Sequence, residues 1–352
     1  MSCRKSYQNF LQKQVKRELT KMITFSPPSP PRYTIIPSDR CSMRGNQYTH
    51  CEFIPTLSED KDMEKDIDLD TDSSTPKSDT PPQCFNPYPW INIECYQLRK
   101  TDSKNKIICL IIHNTSVPKD KKNTIIYSHG NSSDLGSLYS SFIDIASILR
   151  CDVMTYDYTG YGQSEGVANE RDIYSDIDQV FDFALAYKQI ALEKIILFGS
   201  SIGSVPSVSI ASSPKFCGVK GCILISPIAS GNNLINYTNS NLECINDVFN
   251  TVSLAKEIIC PVFVVHGKLD NVIPIEHSYN IVKELKNSMT WYPNKATHSN
   301  LATLYRQKYY AKLKTFLKYV EDNYSKVNRI RLDSISQSKL DSTVIDLLCL
   351  KK

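Results

Sequence analysis

Ile195 to Phe198 is a short apolar run that leads straight into Gly199-Ser200-Ser201-Ile202-Gly203, and apolar residues resume at Val205, Val208, Ile210 and Ala211. This is the sequence form of a buried strand that turns sharply into a helix with a serine at the tip of the turn. A serine hydroxyl is a weak nucleophile at its own pKa, so it has to be lifted clear of the backbone and paired with a base. Gly199 and Gly203 leave room for such a turn, and the pattern assigns attack to the central Ser201, with Ser200 a bystander. The chemistry implied is acyl transfer through a covalent serine intermediate.

A nucleophile on such a turn takes its partners from later in the chain, in the order serine, acid, histidine, because the groups sit on loops at the carboxyl ends of successive strands. Of the six histidines, His50 lies in a stretch without regular period, and His113 and His129 precede the serine. His277 falls within a helical run, and His266 ends a strand directly before Gly267, where it reads as shaping a loop. His298 lies between the strand candidate Met289–Tyr292 and the final helical segment, and it is the expected base. The strand-like run Val262 to Val265 continues into His266-Gly267-Lys268-Leu269-Asp270, which makes Asp270 the expected acid. Glu276 opens a helical run, where its charge suits the helix dipole, and it is the fallback. One oxyanion donor is expected from the N–H of Ile202. The second is expected from the loop Tyr127 to Asp134, where the His129-Gly130 turn lets the N–H of Asn131 point into the site. His129 itself reads as structural. The glycine-rich stretch Tyr156 to Gly166 lacks a lysine at phosphate-loop spacing and is not expected to bind phosphate.

The elements that must hold these groups are legible in outline. Ile107–Ile112, Thr124–Tyr127, Val153–Tyr156, Ile195–Phe198, Cys222–Ile225 and Val262–Val265 read as buried strands. Helical patterns near 134–149, 170–188, 202–213, 276–286 and 300–322 lie between or after them, an alternation that predicts an α/β fold with a mostly parallel sheet and helices on both faces. Residues 227–260 break the rhythm and are expected to cap the site. The chain of 352 residues, 41% of them hydrophobic, is expected to divide into an N-terminal basic segment (1–36), a disordered acidic and Ser/Thr/Pro-rich insert (37–84), a catalytic domain (85–324) and a mobile tail (325–352).

Composition narrows the partners. A net charge of +4 is small for this length and predicts no nucleic-acid binding. Twelve cysteines at irregular spacing, several within apolar runs, read as reduced thiols of the core and not as a disulfide frame, and no zinc-ligand spacing is present. No cofactor is implied. No signal peptide or membrane-spanning run is visible, so the protein is expected on the cytosolic side.

Several motifs together resemble the α/β-hydrolase-domain-17 family of protein depalmitoylases. They are His129-Gly130-Asn131 with Asp134-Leu135-Gly136, Tyr156-Asp157-Tyr158-Thr159-Gly160-Tyr161-Gly162, Tyr174 to Asp178, Ser201-Ile202-Gly203 and Ser226 to Gly231. The resemblance covers roughly residues 85–322, and Phe25-Ser26-Pro27-Pro28 with Tyr33 resembles the segment just ahead of the family's catalytic domain. It implies an α/β-hydrolase fold, a triad at Ser201, Asp270 and His298, no cofactor, and cleavage of S-acyl thioesters on membrane-associated proteins. This chain departs from the family in having Ser200 where Gln is usual, Thr297 where Gly precedes the base, and only Cys3 in place of an N-terminal cysteine cluster.

Membrane attachment also follows from the residues. Leu11, Val15, Leu19 and Met22 recur at helical spacing with Lys13, Lys16, Arg17 and Lys21 around them, the pattern of a basic amphipathic helix. One acyl chain binds bilayers only marginally, so acylated Cys3 together with this helix is expected to form a two-signal attachment to the anionic cytosolic leaflet, beside a cytoplasmic pool. Two other readings stay open at this point: a lipase or small-molecule carboxylesterase with the same triad, and a non-catalytic binding protein on the same scaffold.

Overall fold

The computed structural model describes residues 25–37, 48–56, 88–100, 105–231 and 249–337, with side chains to 324. The described strands are β1 (Tyr33–Pro37), β2 (Tyr48–Pro55), β3 (Ile91–Arg99), β4 (Lys106–Asn114), β5 (Thr124–Ser128), β6 (Asp152–Tyr156), β7 (Ile195–Ser200), β8 (Gly221–Ile225), β9 (Val262–Val265) and β10 (Ser288–Trp291). They form one sheet in the order β1-β2-β3-β4-β6-β5-β7-β8-β9-β10. From β1 to β6 neighbours pair antiparallel, and from β6 to β10 they pair parallel. The fold is therefore α/β with a mixed, mostly helix-covered sheet.

The parallel strands read as continuous apolar runs because both of their faces are buried. Alternate residues of β7 separate the two cores: Ile195 and Leu197 face one, Ile196 and Phe198 the other. Helices α2 (Glu170–Asp182), α3 (Ser204–Ser212), α4 (Thr251–Ala255) and α5 (Glu276–Glu284) cover the first face, contributing Ile173, Ile177, Val205, Val208, Ala255 and Ile281. Helices α1 (Tyr139–Leu149) and α7 (Arg306–Gln337) cover the second with Phe142, Ala146, Leu313, Phe316 and Val320, and the short α6 (Leu301–Leu304) precedes α7. The chain leaves β5 to one side for β6 and returns to the other side for β7. That reversal opens a crevice at the carboxyl ends of β5 and β7, the place where open α/β sheets bind ligands.

Three expectations differ from the structure. The stretch 37–84, expected to be disordered, contributes strand β2, whose Cys51 and Phe53 are buried while Glu52 is exposed. Phe53 stacks between Tyr33 at 4.8 Å and Tyr139 at 5.6 Å, so this strand is held by rings distant in sequence. Strand β1 likewise begins inside the segment 1–36 that was expected to serve membrane targeting, and the sheet begins well before residue 85. The tail expected from 325 begins as a continuation of α7, which runs to Gln337. The amphipathic segment Leu11–Met22, Cys3, the acidic tract and residues 232–248 of the expected cap fall outside the described residues. Among the described residues six of the seven cysteines are buried, and no helix is long and apolar enough to cross a membrane.

Candidate active site

Ser201 sits where β7 ends and a helical turn begins, with φ of +53°, a left-handed conformation that costs a non-glycine residue free energy. The neighbouring fold holds it there. A Cβ on Gly203 would lie 2.0 Å from the Ser128 carbonyl oxygen, so only glycine lets the turn press against the end of β5. Ser204 Oγ donates to the Ser201 carbonyl at 2.7 Å and accepts from Ile228 N at 3.0 Å, tying the turn to the loop after β8. The helical turn runs on into α3, whose N-terminal end therefore points its positive dipole at the serine. Ser200, the other hydroxyl of the turn, lies against the Tyr127 hydroxyl.

His298 lies in the loop after β10 with its side chain about one-fifth exposed (22%), and Asp270 follows β9 with its side chain fully buried (0%). His298 Nδ1 donates to Asp270 Oδ2 at 2.8 Å, which leaves Nε2 unprotonated to accept from Ser201 Oγ at 3.1 Å. The carboxylate fixes the tautomer. Asp270 Oδ1 also accepts from the N–H groups of Val272 (3.0 Å) and Ile273 (2.9 Å). Burial alone would raise the Asp270 pKa, but hydrogen bonds from His266, His298 and Ile273 N hold it well below the ordinary carboxylate range. Asp270 is thus held as a carboxylate facing the imidazole.

The loops bearing acid and base are sewn together by the backbone. Lys268 N donates to Pro293 O at 3.0 Å and Leu269 N to Ala296 O at 2.9 Å. A Cβ on Gly267 would lie 2.3 Å from the Ala296 carbonyl oxygen, so this glycine permits the approach. Thr297, which stands where the resembled family has glycine, donates its N–H to Asn300 Oδ1 at 2.8 Å, and the loop closes with His298 in reach of the serine. His266 supports the acid from behind: Nε2 donates to Ile273 O at 2.8 Å and lies 3.3 Å from Asp270 Oδ2, and Nδ1 accepts from Ser278 Oγ at 2.7 Å. His277 accepts from Ala229 N at 3.0 Å, and burial drops its pKa to about 4. Glu276, the fallback acid, is exposed in the first turn of α5.

The expected oxyanion loop lies beside the nucleophile. A Cβ on Gly130 would stand 3.8 Å from both Ser201 Cβ and Ser200 O, so this loop lies against the turn that carries the serine. His129 is fully buried, with Nδ1 donating to Gly130 O at 2.8 Å and Nε2 lying 3.0 Å from Asp157 Oδ1. Its role is in the frame of the loop. Three residues around the site were not singled out from sequence: Asp157, which faces His129, and Tyr161 and Ser26, which both hydrogen-bond Asn131 Oδ1. The motif Phe25-Ser26-Pro27-Pro28 was the available signal for the last of these.

The sheet order, a left-handed serine at the end of a central strand, and an acid and a histidine on two later loops define an α/β hydrolase with the fold of serine hydrolases. Residues 119–254 match a family model described as serine aminopeptidase, S33. The chain is similar to α/β hydrolase domain-containing protein 17B of Homo sapiens, 32% identical over 225 residues that cover 64% of this chain and 75% of that protein. It is also similar to α/β hydrolase domain-containing protein aho-3 of Caenorhabditis elegans, 33% identical over 211 residues, 59% of this chain and 61% of that one. In fold it is similar to the Pyrococcus furiosus esterase Pf2001, with a TM-score of 0.52 at 16% identity over 66% of this chain and 91% of the other. A second solved structure of the same fold is Est1E from Butyrivibrio proteoclasticus, with a TM-score of 0.51 at 19% identity over 62% and 97%. The chain belongs to the α/β-hydrolase-domain-17 family.

Proposed function

We propose that this chain is a serine hydrolase that cleaves fatty-acyl thioesters from S-acylated cysteines of membrane-associated proteins. The observation that carries the catalytic part is the relay from Ser201 Oγ through His298 to Asp270, at 3.1 and 2.8 Å, with the imidazole held in the tautomer that can take a proton. Ser201 Oγ attacks the thioester carbonyl carbon while His298 Nε2 accepts its proton and Asp270 stabilises the imidazolium. The N–H groups of Ile202 and Asn131 hold the oxyanion of the tetrahedral intermediate. Collapse breaks the C–S bond, and the cysteine sulfur leaves with the proton from His298. Water then attacks the acyl-serine, giving its proton to His298, and the fatty acid leaves with Ser201 regenerated. No cofactor enters the cycle.

The thioester substrate rests on the family resemblance and on the rim of the site. Leu269 and Val272 flank the acid, Leu304 follows the base loop, and all three are large apolar side chains more than half exposed. They suit an alkyl chain lying across the mouth. Membrane attachment through Cys3 and the basic segment 13–21 would bring that mouth to acylated proteins at the cytosolic leaflet.

The test uses a fluorophosphonate probe with matched palmitoyl thioester and oxyester substrates. Ser201→Ala is expected to abolish labelling and thioester turnover while Ser200→Ala keeps both. Labelling that survives Ser201→Ala overturns the nucleophile. Turnover of the oxyester without the thioester overturns the substrate class.

A further inference from the structure

The segment Phe25–Tyr33 has no part in the chemistry above, yet it grips the loop on which that chemistry depends. Ser26 N donates to Asn131 Oδ1 at 3.0 Å, and the Tyr161 hydroxyl donates to the same oxygen at 2.6 Å. Phe25 packs edge-to-face on the Tyr161 ring, with centroids 6.3 Å apart. Further along, Arg32 N donates to Asp134 Oδ2 at 2.8 Å, while Asp134 Oδ1 accepts from Ser137 N at 2.8 Å ahead of α1. Tyr33 completes the attachment: its hydroxyl donates to Asp157 Oδ2 at 2.6 Å, and Asp157 Oδ1 lies 3.0 Å from His129 Nε2 and accepts from Leu135 N at 3.2 Å. The segment thus reaches the loop directly at Asn131 and Asp134, and through Asp157 at His129 and Leu135.

The loop itself closes on its own backbone by a long bond, Ser133 N to Gly130 O at 3.3 Å. Its geometry is set from outside. An amide oxygen fixed by two donors fixes the side-chain torsions of Asn131, and with them the orientation of the peptide that carries the Asn131 N–H. We infer that Phe25–Tyr33 is a positioning strap for the oxyanion loop, with Ser26 and Tyr161 acting through Asn131 to aim its N–H. This rests on the reading of Asn131 as an oxyanion donor in the hydrolase proposed above. Binding of the acyl substrate does not depend on that N–H, because the donor meets its full partner only when the carbonyl oxygen becomes an oxyanion. The strap therefore acts on kcat and leaves KM alone.

The full-length chain tests this, with a palmitoyl thioester as substrate and an alkyl boronic acid as an analogue of the tetrahedral oxyanion. Ser26→Pro removes the N–H donor, Ser26→Ala keeps it, and Tyr161→Phe removes the second donor with little change of shape. Ser26→Pro and Tyr161→Phe are each expected to lower kcat about tenfold, since a donor displaced by a fraction of an ångström loses part of its transition-state contact. Boronate affinity should fall in parallel, with KM, thermal midpoint and the pH profile of kcat/KM retained. Ser26→Ala should match the wild type, and Ser26→Pro should cost nothing further in an Asn131→Ala background. If Ser26→Pro does not fold, Tyr161→Phe with the Asn131→Ala cycle carries the same reading. Unchanged kcat and boronate affinity in Tyr161→Phe overturn the strap, as does a fall in kcat that boronate affinity does not follow. A wild type whose turnover survives Ser201→Ala overturns the hydrolase reading instead, so the two failures are distinct.

Discussion

Two histidines in this molecule sit beside carboxylates in nearly the same way and have opposite characters. His298 directs Nδ1 to Asp270 and turns Nε2 to a serine hydroxyl, so the one nitrogen faces a carboxylate and the other a donor. His113, on β4 at the antiparallel side of the sheet, has Nδ1 3.1 Å from Asp152 and Nε2 3.5 Å from Glu94. Both of its nitrogens face acceptors. Although burial opposes it, the Asp152 and Glu94 interactions raise the His113 pKa to about 8. One ring is placed to take a proton, and the other is placed to keep one. What faces the second nitrogen decides which, and that neighbour comes from the topology: a left-handed serine at the crevice in one case, a cross-strand Glu94 in the other.

The largest break in that comparison is Asp270→Asn. Asparagine can hold the imidazole in the wrong tautomer and cannot stabilise its charge, so kcat is expected to fall about 10⁴-fold, the loss that the equivalent change causes in a serine protease. Near-normal turnover would move the acid elsewhere, with Glu276 the first alternative. A smaller break separates the acid and base loops without touching either group. Gly267→Ala puts a Cβ against the Ala296 carbonyl, whose backbone must move to admit it. A displacement near 1 Å between acid and base predicts a fall of about 10²-fold in kcat. Labelling by a fluorophosphonate should slow in step. A Gly267→Ala protein with the wild-type rate would mean that the two loops need not touch.

The parallel half of the sheet and the residues of the candidate site were legible because their signals are local. Buried parallel strands are unbroken apolar runs, and the turn at Ser201, the acid after β9 and the histidine after β10 each sit at a strand end that the run itself marks. Of the antiparallel half, β4 was legible as the run Ile107–Ile112, and β1 to β3 were not. Strand β2 has Cys51 and Phe53 buried around one exposed Glu52, too short a period to stand out beside an acidic tract, and its stability comes from rings on β1 and α1. Strand β3 mixes Glu94 and Gln97 into its run because it pairs with β2 on one side and shelters a charge cluster. The contact of Tyr33 with Asp157 spans 124 positions, and no local pattern announces it. The difference between His298 and His113 likewise depends on partners that only the fold brings near.

The smallest effect sharpens the comparison from the structural side. His113→Gln is expected to leave kcat unchanged, because the residue is on the antiparallel side and contacts no group of the proposed relay. Its effect is on stability, and the sign follows from the direction of the shift. A histidine raised from about 6.5 in the unfolded chain stabilises the fold fully below that value, and the contribution is lost as pH rises through the folded value of about 8. The difference of about 1.5 units corresponds to about 2 kcal/mol at most. Glutamine keeps a hydrogen-bonding group without the charge, while Glu94 retains Lys188 and Asp152 retains Lys122 at 2.8 Å, so neither carboxylate is stranded. Denaturant midpoints of wild type and His113→Gln should therefore differ most near pH 6 and converge by about pH 9. A deficit that stays constant across that range would show His113 to be neutral in the fold, and a fall in kcat would show that the two histidines do not work apart.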